Sequence, residues 1–134
     1  YKRQFRDGRF ELLEEPVTAS VLTLPAVNMG QVMQKGEDIH KGETAMYERM
    51  KLALALFVQM DHRHLILGAY GCGVFRNDPH KIACWWKELL IEYFADTFDS
   101  VVFAVMDRSK KGECLRAFED MFGADGSGRP YGTH

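Results

Sequence analysis

At 134 residues, with 46% hydrophobic and 27% charged side chains, the chain has the size and composition of one globular domain that can bury a core without disulfides or metal. A formal charge of -2, with acidic and basic residues interspersed, excludes the basic stripe of a direct nucleic-acid binder and the polybasic run of a membrane-surface binder. No apolar run reaches the ~20 residues of a membrane span, residues 1–16 contain no apolar signal core, and three widely spaced cysteines fit a reducing, intracellular compartment such as the cytoplasm.

In chain order, Asp7-Gly8 lies between Gln4-Phe5-Arg6 and Arg9-Phe10-Glu11 and predicts a hairpin closed by a type I′ turn. Residues 19–28, ASVLTLPAVN, predict a buried strand with Pro25 near its end, where a missing ladder hydrogen bond is tolerable. A polar stretch over 29–42 follows. Met46, Met50, Ala53, Leu54, Phe57 and Met60 then recur at helical spacing.

Residues 64–70 predict a second buried strand. Asp78-Pro79 supplies an N-cap and a first-turn proline for a helix running to about Phe98, with Ile82, Trp86, Leu89, Leu90, Tyr93 and Phe94 on one broad face. Residues 100–107 predict a third strand, and Leu115, Phe118, Met121 and Phe122 mark a last short helix. The Gly- and Ser-rich residues 123–134 read as a flexible tail.

Strand followed by helix, three times over, predicts an α/β layer fold on a mostly parallel sheet covered on both faces. Three strands make a narrow sheet, and the pattern begins abruptly after a hairpin. Residues 1–122 therefore read as part of a single, incomplete domain whose exposed edge and face a complementary upstream fragment or a second copy would cover.

The second strand ends in GAYGCGVFRNDP, residues 68–79, a turn almost free of side chains before a helix. Ligands of open parallel sheets sit beyond the carboxyl ends of the strands, where backbone N–H groups meet a helix amino terminus. Gly71 and Gly73 carry no Cβ and can take positive φ, so a phosphate or diphosphate could reach the main chain. Neither common phosphate loop fits, because Gly73 is followed by Val74-Phe75 rather than Lys-Ser/Thr, and position 76, where a dinucleotide fingerprint needs its third glycine, is Arg76.

Other chemistries compete at the same residues. Cys72 on a strand-to-helix turn could be an acidified nucleophile, or a small buried residue shaping the loop. His62 and His64 could begin a metal site, but no third ligand stands near them in sequence. Glu14-Glu15 could be an acid/base pair, although Pro16 follows at once. The glycines could also serve only a tight turn with close helix packing.

GAYGCGVFRNDP, with TLPAVN and FRDGRFELLEEP upstream and VVFAVMDRS downstream, resembles the microbial-type poly(ADP-ribose) glycohydrolases, a branch of the macrodomain fold, from about Phe5 to Phe122. The resemblance implies a three-layer macrodomain-like architecture of which residues 1–122 would be the carboxy-terminal part. It implies that Gly71, Cys72, Gly73 and Val74 wrap the diphosphate of ADP-ribose or its polymer, that Phe75 packs against the distal ribose, and that Asn77 helps hold the loop. It calls for no cofactor and no metal. The family carries a glycine run followed by Gln-Glu-Glu, whose second glutamate is the catalytic acid. Leu13-Glu14-Glu15-Pro16 lacks both the glutamine and the glycine run. No catalytic residue is assigned here, Asn28 included, and the acid is expected upstream of Tyr1. A non-catalytic ADP-ribose or nucleotide-diphosphate module is the alternative.

Overall fold

The protein is seen in a computed structural model that describes residues 3–6, 9–12 and 14–123. Strands β1 (Arg3–Arg6) and β2 (Arg9–Leu12) pair antiparallel, Arg6 facing Arg9, as the hairpin reading requires. The Asp7-Gly8 turn itself, and the tail apart from Gly123, lie outside the described residues.

The expected strand over 19–28 does not form. The segment is extended, and its side chains alternate between the core and solvent up to Ala26, but it joins no ladder. Its carbonyls are taken by side chains instead: the Tyr70 hydroxyl donates to Leu24 O at 2.9 Å, Arg49 Nη1 to Pro25 O at 3.0 Å and Asn77 Nδ2 to Val27 O at 2.8 Å. Pro25 has no N–H to offer a neighbouring strand. Leu22, Leu24, Ala26 and Val27 pack half-buried on the core while Val21 is 88% exposed, so the segment is neither paired nor fully buried.

The polar stretch after it is helical for much of its length. Asn28 caps α1 (Met29–Gln34) through a hydrogen bond from Gln31 N to Oδ1, and Asp38 caps α2 (Ile39–Gln59) by accepting from His40 N. Thus α2 starts well before the methionines that announce it, and Met46, Met50 and Leu54 form its fully buried stripe.

β3 (His64–Leu67) and β4 (Ser100–Phe103) pair in parallel, His64 opposite Ser100 and Leu67 opposite Phe103. They are joined, as a parallel pair must be, by a helical crossover, α3 (Pro79–Glu88). The described sheet therefore has two strands beside the hairpin rather than three, both shorter than expected because the chain turns away after Leu67 and Phe103. Its cover is one-sided. Leu65 and Val101 face the core, whereas Ile66 and Val102 are 77% and 41% exposed on the other face. No helix among the described residues is long and apolar enough to cross a membrane.

α3 begins at the Asp78-Pro79 signal but stops ten residues on, passing into a π-helical turn, Leu89–Tyr93, closed by Phe94 N donating to Leu89 O. Ile82, Trp86 and Leu89 cover the sheet's buried face together with α2 and with Phe118 of α4 (Glu113–Phe122). Phe103 stacks on Phe122 with ring centres 4.2 Å apart, which fixes α4 against the end of β4.

The amino end of α4 is fixed by a carboxylate outside the helix. Its own cap position is Gly112, at φ 58° with no side chain to contribute. Asp107, just beyond β4, accepts from Cys114 N at 2.8 Å and Leu115 N at 3.1 Å, the two donors that an N-cap normally satisfies. Its other oxygen accepts from Ser109 N and Oγ. The Ser109 hydroxyl and then these amides pull the Asp107 carboxyl from 3.8 down to about 2. A depressed carboxylate stabilises the fold above its unfolded pKa, and that stabilisation is lost as pH falls through the folded one. Between pH 3.8 and about 2, Asp107→Asn is therefore expected to flatten the acid limb of the stability curve in urea titrations. An unchanged limb would remove Asp107 as the anchor.

Candidate functional site: the turn between β3 and α3

After Leu67 the chain makes three short turns before α3 begins. Tyr70 N bonds to Gly68 O at 2.8 Å, Cys72 N to Ala69 O at 3.1 Å and Arg76 N to Gly73 O at 3.1 Å. Trp86 on α3 donates its indole N–H to Gly68 O, and a Cβ on Gly68 would stand 3.1 Å from Ala104 O. The start of the turn is thus wedged between α3 and the continuation of β4.

Asn77 closes the far end. It is the only buried polar side chain among the described residues, at 4% exposure. Its Nδ2 donates to Gly71 O at 3.0 Å and to Val27 O at 2.8 Å, and its own amide also donates to Gly71 O. One side chain therefore ties the turn to itself and to the extended segment. Gly30 N donates to Phe75 O at 3.0 Å, which adds α1 to the frame.

Of the two glycines expected at positive φ, only Gly71 takes it, at 72°. A Cβ there would lie 2.7 Å from Asn77 Nδ2 and 2.8 Å from Ala26 Cβ, so bulk and backbone both demand glycine. A Cβ on Gly73 would meet nothing within 4 Å. The left-handed residue that the sequence did not announce is Arg76, at φ 57°, whose side chain lies along Gly30.

Among the described residues nothing accepts from the amides of Gly73, Val74 or Phe75. Gly73 is exposed, Val74 is 91% exposed and Phe75 is half-buried. Three successive main-chain donors in a restrained turn have the donor chemistry that a multiply charged oxyanion requires. The helix terminus itself contributes less than expected, because Asp78 Oδ1 already accepts from His80 N and brings a negative charge to the cap.

The competing chemistries find little support in the geometry. Burial, and after it the neighbouring Cys114, push the Cys72 thiol up to about 12, the opposite of an activated nucleophile. His64 Nδ1 is 2.8 Å from Ser100 Oγ and His62 stands edge-on to Phe57. No group of three His, Cys, Asp or Glu among the described residues could hold a metal ion. An apolar groove of about 330 Å³ beside β3, lined by Leu22, Leu24, Phe57, Ile66, Tyr70 and Trp86, meets the start of the turn at Gly68, Ala69 and Tyr70 and does not include residues 71–77.

These contacts separate the glycines energetically. Gly71→Ala is expected to cost about 1–3 kcal/mol through overpacking and backbone strain, whereas Gly73→Ala should stay within about 0.5 kcal/mol of the parent. Urea unfolding of the two variants checks this. Equal midpoints would mean that Asn77 does not hold the turn as described.

No family model matches the chain, and no curated protein matches it. Solved structures do. A poly(ADP-ribose) glycohydrolase from Deinococcus radiodurans, in complex with ADP-ribose, is 39% identical over 88% of this chain and 48% of its own, with a TM-score of 0.81. The apo form from the same organism gives 38% identity over 84% of this chain and 46% of that one, with a TM-score of 0.77. The enzyme from Thermomonospora curvata gives 37% identity over 83% and 41%, with a TM-score of 0.76. The chain spans about half the length of these proteins, and the α/β, macrodomain-like class expected from the sequence agrees with them. By identity and by backbone shape, then, this chain is a relative of the microbial poly(ADP-ribose) glycohydrolases.

Proposed function

We propose that the chain is the ADP-ribose-binding part of a poly(ADP-ribose) glycohydrolase-type enzyme that hydrolyses ribose–ribose glycosidic bonds. The observation that carries this reading is the run of amides at Gly73, Val74 and Phe75 that have no partner among the described residues, in a turn braced by Asn77 and Gly71. The solved Deinococcus relative in complex with ADP-ribose supports it.

In this reading residues 71–74 wrap the diphosphate, with main-chain N–H groups as donors. These groups cannot lose a proton, so they hold the anion at any physiological pH. The half-buried Phe75 ring offers an apolar surface to the distal ribose, and Asn77 holds the loop without touching the reacting atoms. Hydrolysis also needs a carboxylic acid to protonate the departing ribose oxygen. Asp78, the carboxylate nearest in sequence, is committed to capping α3. By the family resemblance the acid is assigned to a Gln-Glu-Glu motif expected upstream of Tyr1, so in this reading the 134 residues alone would bind without turning over. That same commitment of Asp78 favours the second reading, a non-catalytic ADP-ribose or nucleotide-diphosphate module, if no upstream acid accompanies the chain.

Calorimetry with ADP-ribose tests the binding reading. The parent chain should bind. Gly73→Val should lose at least about tenfold in affinity through the bulk it places over the amides, while remaining folded because the space around Gly73 is open. Unchanged affinity in the variant would overturn the assignment. A parallel assay should find no ADP-ribose released from polymer by the 134-residue chain, since loss of general-acid catalysis alone costs about 10²–10⁴-fold. Measurable release would contradict the upstream placement of the acid.

A further inference from the structure

Arg76 ends the exposed part of the turn, and three observations about it belong together. It sits at φ 57°, a backbone conformation that a long side chain adopts at a cost and that glycine would enter freely. Its side chain is exposed, so burial does not explain the arginine. Its stem is nevertheless held, because a Cβ on Gly30 would stand 3.1 Å from Arg76 Cδ and 3.5 Å from Cγ. Among the described residues no hydrogen bond, ion pair or aromatic ring engages the guanidinium. The stem rests on the first turn of α1, and the charged end has no partner there.

Charge makes this position matter. From Leu65 to Pro79, Arg76 is the one cationic side chain and Asp78 the one anionic side chain. Asp78 caps α3 and repels an incoming diphosphate, while the amides of Gly73, Val74 and Phe75 offer dipoles but no net charge. An arginine directly after those amides supplies the missing charge, and its fork of N–H donors matches phosphate oxygens two at a time. Backbone strain held in an exposed residue without internal partners is the pattern of a group kept for its ligand.

We propose that Arg76 is a further ligand-binding residue of the turn, its guanidinium closing over a diphosphate whose oxygens the amides of Gly73, Val74 and Phe75 receive. That the diphosphate is the one in ADP-ribose rests on the function proposed above; the recognition of a diphosphate by Arg76 does not. In this role Arg76 moves no proton, so it sets affinity for the charged linker rather than the rate of bond cleavage. The contact is a charge pair at an exposed position, so binding weakens as salt screens it.

The test compares the 134-residue chain with Arg76→Met, which keeps an unbranched stem over Gly30 and removes the charge. ADP-ribose and inorganic diphosphate are each titrated by calorimetry at about 50 and about 300 mM salt, and both chains are unfolded in urea. At the lower salt Arg76→Met should lose about tenfold in affinity for both anions. Raising the salt should weaken the parent's binding and change the variant's less, and the two urea midpoints should agree. The proposal is overturned if the variant binds both anions as tightly as the parent, or if it loses affinity with the salt dependence unchanged. It is also overturned if affinity falls only together with the urea midpoint, since Arg76 would then be a brace for α1. A parent that binds inorganic diphosphate but not ADP-ribose would defeat the functional reading, while the diphosphate comparison would still decide Arg76. A parent that binds neither would overturn both.

Discussion

The buried amide of Asn77 is the contact on which the rest of the site depends. A primary amide removed from water must place both of its N–H groups, and here they go to Val27 O and Gly71 O, carbonyls from distant parts of the chain. That requirement draws the extended segment 16–28 onto the turn and sets the turn's curvature. It also explains why Gly71 has no room for a methyl group, since the space where its Cβ would stand is filled by the Asn77 side chain and Ala26.

Around this contact the elements restrain one another. α1 leans on the turn through the Gly30 amide and the Arg76 side chain, and α1 itself starts at the cap Asn28, one residue beyond the carbonyl that Asn77 holds. From the other side, Asp107 holds the amino end of α4 through the amides of Cys114 and Leu115. The amides of the central residues, 73 to 75, find no partner among the described residues while both flanks are bound. Such pre-organisation lowers the ordering cost that a ligand would otherwise meet.

Local signals carried the sequence reading a long way. Asp78-Pro79 marked the start of α3 correctly, the methionine spacing found α2, and the glycines around Cys72 singled out the turn. The misses share a physical cause. Residues 19–28 have the composition of a strand, but pairing depends on which donors face the segment, and those proved to be Tyr70, Arg49 and Asn77, all distant in sequence. The polar stretch hid two helix starts whose caps were legible: Asn28 with Gln31 three residues on, and Asp38 before Ile39. Nothing local announced the π-helical turn or the left-handed Arg76.

The central claim is that the free amides of this turn receive the diphosphate of ADP-ribose. The most direct test is to titrate ADP-ribose into isotope-labelled protein and follow its backbone amides by NMR. The expected result is saturable shifts that are largest at Gly73, Val74 and Phe75 and extend to Gly71 and Asn77. A folded spectrum in which these amides stay in place, or in which the shifts gather on another face of the molecule, would contradict it.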